Sequence, residues 1–193
     1  MGQRLNIEIL DGETLLANAY YHWSAYTSSA IYLTAQIINT FYTRRDLRKT
    51  DIRTTAIRLL ESTGAGYNAE ERFRIKQSED EFLKNLKVND CIDRNRGILS
   101  VTEEGMNNTR SWEEGRVSID ILSELVYFNV YSEIEDKDWD DYYDDWHPVL
   151  VDEDSFKWPD FEIPFVDISE FAEAVSKIDG IKTTRRSTIT WIE

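Results

Sequence analysis

The chain has 193 residues, of which 41% are hydrophobic and 12% aromatic, and its formal net charge is -15 at pH 7. This content of large apolar side chains excludes a globally disordered chain, and the length fits a single domain over 1–193. The negative charge disfavours direct binding to nucleic acid, because affinity for phosphates rests largely on Lys and Arg.

The first elements in chain order are two strands. Leu5, Ile7 and Ile9 alternate with polar residues, and a second β-rich run extends from Thr14 to Trp23. Asp11 and Gly12 lie between the two runs and tolerate the positive φ angles of a tight turn. The pattern predicts an N-terminal hairpin.

Two helices are predicted next. Apolar residues recur at helical spacing over 25–43, after Ser24 as a candidate cap, and again over about 51–62 before Gly64. A third helical stretch begins after Asn68. The sequence from Ser78 to Glu81 matches a capping box, so we expect this stretch to break near Gln77 and then resume.

Beyond Cys91 the apolar pattern changes to the period of strands. Three β-rich runs cover 98–102, 117–121 and 125–131, and the short gap 122–124 suits a hairpin between the last two. The residues expected to form turns before them are Asn107, Asn108, Glu114 and Gly115.

The last predicted elements are a helix and a strand. Asp167 and Glu170 form a capping pattern for a helix over 167–179 that ends at Gly180, and a strand is expected over 183–192. The predicted fold is therefore α+β. It is an antiparallel sheet with about four helices packed against it and an acidic, aromatic insertion at 133–162 before the last helix.

Catalytic and metal-binding signatures are missing. Gly64 and Gly66 lack the further glycine and lysine of a phosphate loop, and His22 and His147 are the only histidines. Cys91 is the only cysteine, which excludes an intramolecular disulfide and suits a reducing compartment. No apolar run is long enough to span a membrane. We expect a cytoplasmic protein with no catalytic residue, metal or cofactor.

A calcium loop is also excluded. Asp136, Asp138 and Asp140 have the spacing that opens an EF-hand loop, but Asp141 stands where the sharp turn needs glycine. His147 occupies the twelfth position, where a bidentate glutamate is expected.

One basic stretch runs from Arg44 to Arg58. Its six cations outnumber Asp46 and Asp51 and give a local charge of +4. No aromatic side chains are interleaved with them, so the stretch is interpreted as a solvated connector and helix face. It could balance the acidic residues within one chain or across a homodimer.

The most distinctive feature is the acidic segment, residues 133–162. It contains thirteen carboxylates against Lys137 and Lys157, so it carries -11 of the total -15. Tryptophan, tyrosine and phenylalanine residues are interleaved with these acids. Carboxylates along a surface imitate the phosphates of a nucleic acid, and exposed rings can pack against the arginines of a partner.

This composition predicts a docking surface for a basic nucleic-acid-binding protein. The expected partner-binding residues are Asp136, Asp138, Trp139, Asp140, Asp141, Tyr142, Tyr143, Asp144, Asp145 and Trp146. The segment resembles, in composition, the acidic inhibitors encoded by phages and mobile elements, including anti-CRISPR and anti-restriction DNA mimics. The resemblance implies a non-enzymatic inhibitor of a host defence protein.

Three alternatives remain open. The rings of the acidic segment could fold inward and leave a solvated loop. The chain could bind a small nucleotide or signal molecule, using the arginines of 44–58 together with tyrosines. It could also be a carboxylate-rich, divalent-metal-dependent enzyme.

Overall fold

The structure is a computed structural model that describes residues 4–22, 25, 27–88, 97–130 and 161–177. The strands are β1 (Leu5–Asp11), β2 (Thr14–Tyr21), β3 (Ile98–Ser100), β4 (Gly115–Asp120), β5 (Leu125–Asn129) and β6 (Phe161–Pro164). The helices are α1 (Thr27–Thr43), α2 (Ile52–Glu61), α3 (Ala69–Gln77), α4 (Glu81–Lys84), α5 (Glu103–Arg110) and α6 (Ile168–Ser176), with a short 3-10 helix at Leu47–Lys49.

The six strands form one mixed sheet in the order β3-β2-β1-β4-β5-β6. The predicted α+β class is confirmed, but the prediction of an antiparallel sheet is wrong at one pairing, because β1 and β4 run parallel. Among the described residues, five α-helices, the 3-10 helix and β3 lie between the N-terminal hairpin and β4. Such a long connection can return the chain to the starting end of the sheet, which a parallel pairing requires.

The helices also differ in number from the prediction. The described residues contain six α-helices where about four were expected. Asn107 and Asn108 lie inside α5 and not in a turn, because the Thr102 hydroxyl accepts a hydrogen bond from the Gly105 amide at 3.1 Å and caps this helix. The strand expected to continue to Thr102 therefore ends at Ser100.

The break after α3 occurs where the sequence predicts it. The residue that caps α4 is Asp80, whose carboxylate accepts a hydrogen bond from the Phe82 amide at 2.9 Å. Ser78, the first residue of the expected capping box, instead accepts a hydrogen bond from the Asp80 amide at 3.1 Å. Asp51, Asn68 and Asp167 cap α2, α3 and α6 through their side chains.

The predicted C-terminal boundary of the acidic insertion, residue 162, is wrong by two residues. Phe161 and Glu162, counted as part of an insertion, belong to β6, which pairs antiparallel with β5. Residues 131–160 lie outside the described residues, as does the strand expected at 183–192.

The central strand β1 is covered on both faces. Leu5, Ile7 and Ile9 are fully buried and belong to the apolar core, which α2 helps to close by packing on β1 and β2. Asn6 and Glu8 point to the other face and are nearly as well buried, at 0% and 2% exposure. Among the described helices, none is long and apolar enough to cross a membrane.

Candidate functional site

Alternate residues of β1 and β2 form a polar face on the sheet. Asn6 pairs with Tyr20, and Glu8 with Asn18, so these four side chains lie on the side opposite Leu5, Ile7 and Ile9. Helix α5 packs on β2 and covers part of this face: the Asn18 amide donates to the Met106 carbonyl at 3.2 Å. The part of the polar face that includes Asn6, Glu8 and Asn18 is thus buried and not solvated.

Glu8 is the charged centre of the covered part. Its carboxylate lies 2.7 Å from the Arg110 Nε and accepts a hydrogen bond from the Ser118 hydroxyl at 3.2 Å. Burial raises the pKa of Glu8 above its usual value, and the cations of Arg116 and Arg110 oppose that rise. This cluster joins β1 to α5 and β4, so its role is to hold the fold together.

A cavity opens at the uncovered end of the polar face. Its volume is about 960 Å³. The residues that line it are Arg4, Tyr20, His22, Tyr67, Asn68, Ala69, Glu70, Arg72, Ile98 and Trp112. They come from the start of β1, the end of β2, the start of α3, the first residue of β3 and the loop after α5.

The register of the strands explains one wall of the cavity. Ile98 pairs with Tyr20, so these two side chains share the polar face. Arg4 immediately precedes β1, and His22 immediately follows β2. Because residues of one face recur at every second position, both belong to this same face.

Aromatic side chains form most of this wall. Tyr20 and Trp112 meet edge to face with their ring centroids 6.1 Å apart, and the Tyr20 hydroxyl is hydrogen-bonded to the His22 Nδ1 at 2.9 Å. Burial raises the pKa of Tyr20, although the cation of Arg4 opposes that rise. Trp112 keeps 46% of its surface exposed, so its ring is available to a ligand.

The opposite wall is the start of α3, which two contacts hold in place. Gly66 bridges to Ile98 of β3, with the Leu99 amide donating to the Gly66 carbonyl at 2.9 Å. Five residues after Gly66, the buried Glu71 carboxylate accepts hydrogen bonds from the amides of Val101 and Thr102, both at 2.7 Å. These contacts fix the distance between α3 and the strand.

The charges around the cavity favour an anion. Arg4 and Arg72 contribute two cations, and Glu70 is the one carboxylate among the described residues that line the cavity. That carboxylate is already engaged, since the Arg74 Nη2 lies 2.5 Å from it. The Glu114 carboxylate accepts a hydrogen bond from the Arg4 backbone amide at 2.9 Å. The Arg4 guanidinium forms no ion pair among the described residues.

The basic stretch does not contribute to the cavity. Arg44 pairs with Asp46, Arg53 with Asp80 and Arg58 with Glu61, each at 2.7 Å. The Arg48 guanidinium lies 5.2 Å from the ring centroids of both Phe41 and Tyr42. The arginines that the sequence offered for a nucleotide site are therefore largely engaged with their own helices and neighbours.

The expected partner-binding residues, from Asp136 to Trp146, lie outside the described residues. What the structure does give is the anchoring of the acidic segment. Phe128 of β5 pairs with Phe161 of β6, so the backbone on either side of residues 131–160 is held in adjacent strands. Strand β6 is at one end of the strand order. The segment is thus attached through both its ends at one edge of the described sheet.

Sequence reasoning did not single out Arg4, Tyr67, Arg72 or Trp112. These residues carry no motif, and only the pairing of distant strands brings them together. The one local signal was Asn68, whose capping role places the start of α3.

Comparisons with family models, with curated proteins and with solved structures give no match for this chain. No group of three or more His, Cys, Asp or Glu residues in the described ranges is placed to hold a metal ion.

Proposed function

We propose that the protein is a non-enzymatic inhibitor whose acidic segment occupies the basic nucleic-acid groove of a host defence or nucleic-acid-processing protein. One observation carries the proposal: a charge of -11 is concentrated in residues 133–162, a stretch that leaves and re-enters the sheet through the paired strands β5 and β6.

The paired strands help because they fix the ends of the segment before any partner binds. A segment held at both ends has fewer conformations to lose on docking than a free tail of equal length. The paired strands therefore support docking by the acidic residues between them.

The composition of the segment suits a basic groove. Its carboxylates attract a positive partner over long range and accelerate encounter, an effect that salt weakens. Aromatic residues such as Trp139, Tyr142 and Trp146 supply the large apolar surface that usually dominates binding energy. The partner would be inhibited because the segment and nucleic acid compete for one groove.

The test is a variant that keeps the rings and removes the charge. Asp138, Asp140, Asp141, Asp144 and Asp145 are replaced together by Asn. The matched control removes five exposed carboxylates elsewhere by Glu→Gln changes at Glu13, Glu79, Glu81, Glu103 and Glu170. Both variants lose five negative charges, so only the position of the loss differs.

The immobilised proteins are exposed to host extract at rising salt, and the captured protein is then challenged with duplex DNA. We expect the wild type and the control to retain a nucleic-acid-binding protein that DNA or high salt releases, and the segment variant to retain none. Equal capture, or equal inhibition of the partner's activity, by the segment variant would reject the proposal. Urea unfolding of each variant verifies that the fold is intact.

A further inference from the structure

The cavity on the polar face has the dimensions of a small-molecule site. Pockets that bind metabolites and cofactors enclose roughly 300–1,000 Å³, and this one encloses about 960 Å³. Such sites combine an apolar lining with a few polar groups that orient the ligand. Here the apolar lining consists of Tyr20, Ile98 and Trp112. The polar groups are supplied by Arg4 and the start of α3.

The aromatic wall favours a planar ligand. The Trp112 ring is half exposed and its partner Tyr20 is only 7% exposed, so the pair forms a rigid platform with one accessible ring. A flat heterocycle stacks on such a ring without needing a specific hydrogen-bond pattern. A single exposed aromatic side chain is common on protein surfaces and does not by itself indicate a site. Trp112 differs because it borders a cavity.

The opposite wall favours a negative group. The Arg4 guanidinium has no ion pair among the described residues, and Arg72 adds a second positive charge. The Asn68 side chain accepts from the Glu71 amide, which leaves the Ala69 and Glu70 amides of the first turn to point away from the helix. These amides and the helix dipole stabilise an anion at that end.

A further polar group belongs to one of the residues that line the cavity. Tyr67 lines it and is fully buried, yet its hydroxyl has no hydrogen-bond partner among the described residues. A buried polar group without a partner costs free energy. This observation is independent of the charges at the start of α3.

We propose that this cavity binds a small ligand that joins a planar heterocycle to a phosphate, the chemistry of a nucleoside monophosphate. The heterocycle stacks on Trp112, and the phosphate binds Arg4 and the first amides of α3. The proposal uses no residue of the acidic segment, so either proposal can fail without the other.

The experiment measures binding by isothermal titration calorimetry, using AMP, GMP, CMP and UMP with the full chain. Adenosine and inorganic phosphate are titrated separately, because each carries only half of the proposed recognition. We expect at least one monophosphate to bind with a Kd below about 1 mM, and the corresponding half-ligands to bind at least about tenfold more weakly.

Two variants test the two walls. Arg4→Gln should raise the Kd of the monophosphate that binds best by about tenfold or more, because a hydrogen bond to a charged group is lost. Trp112→Ala should raise the Kd of the same ligand by a similar factor, because the stacking contact is lost. The controls are Arg45→Gln, an exposed cation outside the cavity, and Phe73→Ala, a side chain 63% exposed on α3 that does not line it.

Three outcomes would overturn the assignment. The first is that no monophosphate binds with a Kd below about 1 mM. The second is that adenosine or inorganic phosphate alone binds as well as the intact ligand. The third is that the cavity variants, shown to be folded by urea unfolding, bind no more weakly than their controls.

Discussion

At the scale of single residues, buried carboxylates act as connectors between distant parts of the chain. Glu71 is 1% exposed and joins α3 to the segment between β3 and α5. The glycine at 105 is required by this contact, because a Cβ there would lie 2.0 Å from the Glu71 Oε2. Gly105 is thus fixed by a carboxylate thirty-four residues earlier in the chain.

Asp120 is a second connector, and it gives a prediction about pH. Its carboxylate accepts hydrogen bonds from the Gly12 amide at 3.0 Å, the Leu122 amide at 2.9 Å and the Ser123 hydroxyl at 2.7 Å. Burial opposes ionisation, but the hydrogen bonds from Ser123, Gly12 and Leu122 outweigh it, so the pKa of Asp120 lies below its usual value.

We expect Asp120→Asn to lower the free energy of unfolding by about 1–3 kcal/mol at pH 7. A lowered pKa means that the unfolded chain takes up the proton first as pH falls. The stability that Asp120 contributes is therefore present above about pH 3.9, the unfolded value, and is lost as pH falls through the folded pKa. Urea unfolding at pH 7 and at decreasing pH should show the difference from wild type shrinking below pH 4, whereas the exposed control Glu13→Gln should show little difference at any pH.

At the scale of secondary-structure elements, capping residues determine where the helices begin. The Asp167 carboxylate accepts hydrogen bonds from the amides of Ser169 and Glu170 at 2.9 and 3.1 Å. Asp46 stands at the equivalent position of the 3-10 helix but makes no such bond. The two aspartates form a matched pair.

We expect Asp167→Ala to destabilise the protein by about 1 kcal/mol, the usual cost of losing a helix cap. Asp46→Ala should cost clearly less than Asp167→Ala, because it removes only an exposed ion pair with Arg44. The urea midpoints of the two variants provide the measurement. Equal losses would show that capping does not stabilise α6.

Most elements were predictable because their signals are local. The N-terminal hairpin follows from alternation and from Asp11 and Gly12, and the starts of α2, α3 and α6 follow from their caps. Helix α5 was missed because Asn107 and Asn108 suggest turns. Its cap, Thr102, is also the last residue of the β-rich run 98–102. The same residue therefore fits both the end of a strand and the start of a helix.

At the scale of the whole molecule, charge is distributed unevenly. The acidic segment carries -11, which leaves -4 for the other 163 residues. If this charge is simply solvated or awaits a partner, its self-repulsion should destabilise the chain slightly at low salt. If instead it balances the basic stretch at Arg44–Arg58 within the molecule, removing it should destabilise the chain.

We expect the five-Asp→Asn variant of the acidic segment to be at least as stable as wild type at about 10 mM salt, where the screening length is about 30 Å. The difference should vanish at about 1 M salt, where that length is about 3 Å. Urea unfolding at the two salt concentrations measures this. A variant less stable than wild type at low salt would indicate an attraction within the chain and would weaken the docking proposal.

By itself, the sequence determined the α+β class, the N-terminal hairpin, the break after α3 and the capped starts of most helices, because each depends on residues close together in the chain. It also determined that acidic and aromatic residues are concentrated in 133–162. Only the tertiary structure decided the parallel pairing of β1 with β4, the burial of Asn6, Glu8 and Asn18, and the cavity. These features arise when strands that are far apart in the sequence pair in one particular register. The alternating pattern of a strand does not specify its neighbour, its direction or its register, so the sequence pattern alone could not predict them.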